Sequence, residues 1–537
     1  MRKLMLCRGF LGLGLLASTA LSAGIARAED STAARFGARE HVQGISLSPD
    51  GTKVAILTPL QGRGVALTIG DLVAGGLKVI TSSSGDPEQI ERCAWTNATR
   101  LICTISTTSW IDGQRAGFSR LIAINSDGSD IKMVTARASS RALGVAQHGG
   151  ALIDWGSDDA SGSALITRDY VPEETTGSHI ASNREGRGVD LVDIQSGKRR
   201  AVEAPRLDAV EYISDGHGTV RVMGVRPRTS TGYEGTRTVY FYRKPNDRNW
   251  EKLETGDGGF EPYIVDREQN VAFGFAKTDG RQALYKVALD GSLKKDLVLA
   301  RPDVDVDGLL TVGRHRRLIG VSYATDTRVA EWFDPAFVKL RDSLGKALPN
   351  SPIISFADAS SDESRILMFA GSDVDAGGYF IFDKNARKLQ EVLPVRPQLA
   401  GLTLSPVKPV TYPAGDGTRI PGYLTLPPGA TSTKGLPAIV MPHGGPGARD
   451  EWGFDWLSQY FAQRGFAVLR PNFRGSTGYG DAWFQKNGFQ SWRTAVGDVN
   501  DGGKWLIAEG VDPGKLAVFG WSYGGYAALQ SSALDAN

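Results

Sequence analysis

Between about Gly44 and Pro397 one short pattern keeps returning in this chain: a strand-like run, a polar turn, and a second strand-like run. The turns fall at residues 70–76, 125–129, 193–198, 244–247, 289–292 and 382–386. One interval, between Leu289 and Phe382, is about twice the usual spacing, and a more helical stretch at 332–335 (Trp-Phe-Asp-Pro) fills it. A single strand–turn–strand unit cannot bury both its faces, so a series of them must stack side by side. Seven outer hairpins at intervals of roughly fifty residues predict a seven-bladed β-propeller of four-stranded blades. A pair of β-sandwiches is the competing architecture, and the regular spacing argues against it. The turn at 48–53, between Ile45 and Ile56, is a further hairpin signal of the same kind.

With 537 residues the chain is too long for one ordinary core. After Pro397 the pattern changes. Apolar strands at 436–441, 466–470 and 516–519 alternate with helical patterns near 451–464 and 493–509, following a strand at 420–426. Strand–helix alternation implies an α/β unit built on a mainly parallel sheet. The expected organisation is a propeller over residues 29–400 and an α/β-hydrolase-like unit over 401–537.

Residues 1–28 read as a cleavable export signal. Met1-Arg2-Lys3 is positively charged, the run from Phe10 to Ala23 is apolar, and Ala26-Arg27-Ala28 has the small-x-small form of a cleavage site. The run is short and interrupted by Ser and Gly, which disfavours an uncleaved membrane anchor. The expectation is a periplasmic or secreted protein with no stable membrane insertion after cleavage. Export would place Cys93 and Cys103 in an oxidising compartment. They stand opposite each other in a hairpin centred on Ala98, so a Cys93–Cys103 disulfide is expected, against the alternative of two buried thiols. Lys and Arg total 61 against 59 Asp and Glu, and a net charge of +2 gives no reason to expect nucleic acid as a partner. No cluster of His, Cys, Asp or Glu has metal-ligand spacing, so neither a metal nor an organic cofactor is expected.

The chemistry gathers on the turns after the later strands. Gly520-Trp521-Ser522-Tyr523-Gly524-Gly525 lies between the apolar strand 515–519 and a helix-compatible run from Tyr526. A sharp strand–turn–helix bend brings the backbones on either side of its central residue together, which requires small residues there, and it exposes the Ser522 hydroxyl at the top of the sheet. The Tyr523 N–H, at the helix N-terminus, is one expected donor to a developing oxyanion. A second signal, His443-Gly444-Gly445-Pro446-Gly447, follows another strand. Its glycines let the backbone approach an oxyanion, with Gly445 favoured over Gly444 as the donor. His443 could serve as base or hold its loop. In folds of this type the base follows the serine in the chain, which favours the loop role.

With Pro471-Asn472-Phe473-Arg474-Gly475-Ser476-Thr477-Gly478-Tyr479-Gly480 between these motifs, the chain resembles the prolyl oligopeptidase family of serine peptidases, especially its acylaminoacyl-peptidase-like branch. The motif-level resemblance covers Tyr412 to Leu529. It implies a propeller lying over an α/β-hydrolase domain, short peptides as substrates, and an acyl-enzyme on Ser522 activated by a His that an Asp orients. Arg474 would position either a substrate group or its own loop. The dipeptidyl-peptidase branch holds a substrate amino terminus with a propeller Glu pair, and Glu173-Glu174 is a candidate, although its surroundings fit a solvated acidic turn better. All six histidines precede Ser522 and the chain ends at Asn537. The resemblance therefore implies a C-terminally truncated, inactive piece that lacks the Asp and His of the triad. Two other readings remain open: a carboxylesterase on the same fold, and a non-catalytic propeller scaffold with a degenerate hydrolase remnant.

Overall fold

The computed structural model describes residues 32–535 apart from 112, 137–138, 156–161, 179, 230–231, 255–258, 349, 351 and 486–487. The expected export signal at 1–28 lies outside the described residues. Seven antiparallel sheets follow one another along the chain, spanning residues 44–83, 89–133, 152–206, 209–252, 261–299, 306–332 and 353–394. Each is a simple meander whose neighbouring strands are consecutive in sequence. All seven turns picked out by the repeat fall after the third strand of a blade. The ring closes where the Asp358 carboxylate accepts the Leu47 N–H (2.9 Å) and Arg365 donates to the Gly51 carbonyl (2.9 Å), joining the last blade to the first.

The expectation of four strands per blade needs one correction. The sixth blade has three strands, and the helix Pro335–Ala347 follows where the others place their outermost strand. Pro335 cannot donate to a ladder but is well placed in a first helical turn. Asp334 caps the helix, its side chain accepting from the Ala336 N–H. Phe337, Leu340 and Leu344, spaced three and four apart, bury one helix face against Ile319, Ile366 and Met368.

Cys93 and Cys103 are cross-strand partners in the second blade and are joined, with an S–S distance of 2.02 Å. Their strands, Gln89–Asn97 and Arg100–Ile111, run longer than the sequence pattern indicates and turn at Ala98-Thr99. There the Asn97 side chain accepts the Thr99 N–H (2.9 Å).

The last sheet has five strands in the order Val407–Pro413, Arg419–Thr425, Ala467–Pro471, Ala438–Val440, Leu516–Val518. The final three are parallel, and each runs into a loop at the same end of the sheet, where ligand sites of open α/β folds gather. The helices Trp456–Gln463, Trp492–Ala508 and Tyr523–Leu534 accompany the sheet. Its core includes fully buried Tyr412, Val440, Leu469, Val496 and Ala527. Each large aliphatic side chain so buried contributes about 1.5–3 kcal/mol. Among the described residues no helix is long and apolar enough to cross a membrane.

Candidate active site

Ser522 sits between the strand Leu516–Val518 and the helix Tyr523–Leu534, in a conformation of φ 54° and ψ −127°. An L-residue adopts positive φ only under constraint from its surroundings. The constraint is visible at the neighbouring glycines. A Cβ on Gly520 would stand 2.5 Å from the Gly524 carbonyl carbon, and one on Gly524 would stand 2.2 Å from the Pro442 carbonyl oxygen. Both positions exclude any other residue, as the motif requires. The bend leaves Ser522 exposed and Tyr523 buried. Tyr523 is the first residue of its helix, so its N–H has no carbonyl partner within that helix. Its side chain anchors the turn. The phenol donates to the Gly488 carbonyl (3.0 Å), its ring lies 5.7 Å from that of Phe473, and burial pushes its pKa up to about 12.

The loop after Ala438–Val440 lies directly against this serine. A Cβ on Gly444 would be 3.4 Å from Ser522 Cβ and 3.8 Å from Ser522 Oγ. His443 holds the loop rather than presenting a free base. Its Nδ1 is 2.8 Å from the Gly444 carbonyl, its Nε2 is 2.8 Å from Ser476 Oγ, and its ring stacks on Phe473 at 4.5 Å. Burial pushes the imidazole below its ordinary value, so it is neutral at pH 7. In the Nδ1–H tautomer His443 donates to Gly444, and its Nε2 competes with the Phe473 carbonyl, 2.7 Å from Ser476 Oγ, for the one Ser476 hydroxyl proton; that carbonyl also receives Trp483 Nε1–H (3.1 Å). The Gly444 carbonyl and the Gly445 N–H belong to one trans peptide unit and point in opposite directions. By gripping the carbonyl, His443 sets the direction of the Gly445 donor. Gly445 itself has φ +128°, which favours glycine.

Arg474 points away from a substrate role. It donates to both carboxylate oxygens of Asp498 (3.0 and 2.6 Å) and to Asp416 (2.5 Å), and these partners hold it firmly in its charged form. It thereby ties the loop at 471–480 to the helix Trp492–Ala508. Sequence reasoning missed Asp498, although a carboxylate among buried Ala495, Val496 and Val499 is a legible sign of a buried partner. Ser476 was also missed; nothing local marks it as the partner of a histidine thirty-three residues earlier.

The same loop docks on the propeller. The Asp305 carboxylate accepts the N–H groups of Gln282 (2.8 Å) and Gly480 (3.1 Å), and the Asp305 N–H donates to the Gly478 carbonyl (2.9 Å). Arg328 pairs with Glu451, just beyond the glycine loop, and with Asp307. These contacts come from connections between second and third strands or between blades. Successive turns of a meander alternate between its two ends, so the hydrolase sheet sits on one face of the propeller. Glu173 and Glu174 lie in a connection on that face as well. Glu173 is paired with Arg141 (2.6 Å) and Glu174 is exposed. Among the described residues no group of three His, Cys, Asp or Glu side chains is arranged to hold a metal ion.

Residues 452–535 match the model of the prolyl oligopeptidase family. Dipeptidyl aminopeptidase BIII of Pseudoxanthomonas mexicana is 30% identical over 368 residues, covering 65% of this chain and 51% of that protein. Dipeptidyl peptidase family member 6 of Caenorhabditis elegans is 30% identical over 197 residues, covering 33% of this chain and 27% of its own length. The chain thus spans about half or less of the curated relatives it matches. Among solved structures, one from a study of two prolyl endopeptidases superposes with a TM-score of 0.64 at 15% identity, covering 96% of this chain and 75% of that one. A Mycobacterium tuberculosis puromycin-hydrolyzing peptidase gives 0.62 at 16% identity, covering 95% and 77%. At such identities the likeness concerns the fold, and the fold is a propeller followed by a hydrolase region. Motif and sheet order agree with that match: residues 452–535 are the part of this chain that matches the prolyl oligopeptidase family.

Proposed function

We propose that the protein is an exported serine peptidase that cleaves short peptides through an acyl-enzyme on Ser522, removing dipeptides from their amino termini. The observation that carries this reading is the strained, exposed Ser522 with the Gly444-Gly445 peptide packed against it. Ser522 Oγ attacks the scissile carbonyl, and the resulting oxyanion is met by the N–H groups of Tyr523 and Gly445. The proton on Oγ passes to a base. His443 is not assigned that role, because both its ring nitrogens are engaged in holding the loop. In this fold the base is carried after the serine in chain order. The dipeptidyl preference is supported by the activities named for the two relatives above. Export is supported by the signal-like residues 1–28 and by the Cys93–Cys103 bridge, a pairing that persists in oxidising compartments.

The test is expression from the complete reading frame, with a fluorophosphonate probe and a panel of dipeptidyl and acylaminoacyl anilides. The expected result is labelling of Ser522, release of anilide from dipeptidyl substrates, and loss of both in Ser522→Ala with the fold retained. Labelling of a different serine, or undiminished turnover in Ser522→Ala, would refute the assignment. Recovery of a mature amino terminus near residue 29 from the exported fraction tests the localisation.

A further inference from the structure

The first strands of the blades surround a cavity of about 1260 Å³ along the propeller axis. Its wall includes residues from the first strands of several blades and all four residues of one turn, Gly313-Arg314-His315-Arg316, between the first two strands of the sixth blade. First-to-second strand turns lie on the face opposite the hydrolase sheet, because that sheet docks on second-to-third strand turns and inter-blade connections. The turn at 313–316 does not stay with its own blade. Arg314 reaches across the axis and donates to the carbonyls of Trp95 (2.8 Å) and Thr96 (3.0 Å) in the second blade. Its guanidinium also lies over the ring of Trp155 in the third blade, 4.2 Å from the centroid. His315 donates from Nδ1 to the Gly216 carbonyl in the fourth blade (2.6 Å) and stacks on His217 at 4.1 Å with the rings 10° apart. Gly216 must be glycine for this approach, since it has φ +76° and a Cβ there would be 2.5 Å from the His315 carbonyl oxygen. One four-residue turn is therefore bonded to three blades other than its own, two of them across the ring.

We infer that the turn Gly313–Arg316 is a strap that closes the propeller axis on the face away from the hydrolase sheet, and that Arg314 and His315 are specificity-determining residues for substrate length. The cavity is then a blind chamber. A polypeptide reaches Ser522 from the seam between propeller and hydrolase sheet and can extend into the propeller only as far as the strap. Charge-assisted bonds from a planar guanidinium to two carbonyls, with an aromatic face beneath, suit a fixed closure better than a mobile one. The consequence for substrate length rests on the peptidase reading above; the closure itself does not.

The experiment uses the protein from its complete reading frame carrying Ala357→Cys, which places a thiol at an exposed position on the cavity wall. Labelling by a bulky polymer-linked maleimide is compared between this parent and Arg314→Ala/His315→Ala, with the protein lacking Ala357→Cys as background. Opening the strap should raise the labelling rate by at least about fivefold, as expected when a closed path becomes open without unfolding. Trp155→Ala, which removes the surface under the guanidinium and leaves the strap sequence intact, should raise it too and decides the matter if the double variant does not fold. Unchanged labelling in a folded variant overturns the closure. Kinetics then tests the consequence: with the strap open, turnover of a dipeptidyl anilide should stay within about twofold, while peptides too long for the chamber gain at least about fivefold in kcat/KM. Faster labelling with an unaltered length profile overturns the specificity role. A parent that hydrolyses no peptide refutes the peptidase reading, and the labelling result still stands by itself.

Discussion

Two glycines and a histidine carry the tightest constraints at the site. Gly524→Ala would drive a Cβ to within 2.2 Å of the Pro442 carbonyl oxygen, and neither partner is the end of a flexible side chain. The expected outcome is a loss of about 1–3 kcal/mol, the usual range for overpacking, with fluorophosphonate labelling of Ser522 abolished. Chemical denaturation together with labelling checks both parts. His443 makes a pH-dependent contribution whose sign follows from its depressed pKa. Below about 6.5 the unfolded chain binds a proton at this position while the native state does not, so stability falls as the solution is acidified towards the native pKa. His443→Gln removes that contribution. Its thermal midpoint should therefore drop less between neutral and mildly acid pH than that of the parent, although it will start lower because the grip on the Gly444 carbonyl is lost. A parent and variant with parallel pH profiles would show that His443 is not buried and neutral.

At the scale of elements, the hairpin of the second blade shows how a sequence pattern becomes a covalent link. Cys93 and Cys103 meet because the register of Gln89–Asn97 against Arg100–Ile111 sets them opposite each other. Their sequence separation is 10, so the bridge closes a short loop. The chain-entropy model gives about 2–3 kcal/mol for such a closure. Cys93→Ala/Cys103→Ala should lose no more than that, read as a shift in denaturation midpoint with unchanged m-value, and intact mass under non-reducing conditions should show the parent bridge. The sixth blade makes the complementary point. Its third strand ends at Trp332, and Pro335 then converts what would be an outer strand into a capped helix that buries Phe337 and Leu344. The repeat marked the position, and the 3.6-residue spacing of the apolar side chains decided the type of element.

At the scale of the molecule, the propeller braces the loops that flank Ser522 rather than merely covering them. Asp305 alone accepts from Gly480 and donates to Gly478, fixing the loop whose Ser476 holds His443. On the peptidase reading proposed above, Asp305→Ala should lower kcat by about tenfold, in line with the cost of small misplacements in a positioned site, with KM changed much less. The thermal midpoint should move little, since the contact is one among many at the seam. If turnover were unaffected while the midpoint fell, Asp305 would be a stabilising contact without influence on the site.

Much of this architecture was legible in the residues alone. Turn-forming segments at a regular interval favour stacked blades over a pair of sandwiches, and Gly520-Trp521-Ser522-Tyr523-Gly524 favours a tight strand-to-helix bend, because both signals arise from local backbone chemistry. The Cys93–Cys103 pairing was legible for the same reason, since a hairpin is a short-range structure. What the sequence left open concerned partners far apart along the chain. Arg474 could have faced a substrate, and its ion pair with Asp498 shows that it faces its own fold. The link from His443 to Ser476, the docking of Asp305 on Gly480, and the reach of Arg314 to Trp95 and Thr96 each join residues that no local pattern relates. Such contacts depend on how blades and sheet come together in space, and burial decides them: a charged or polar group taken out of water must find a partner, and only the tertiary arrangement says which one is within reach.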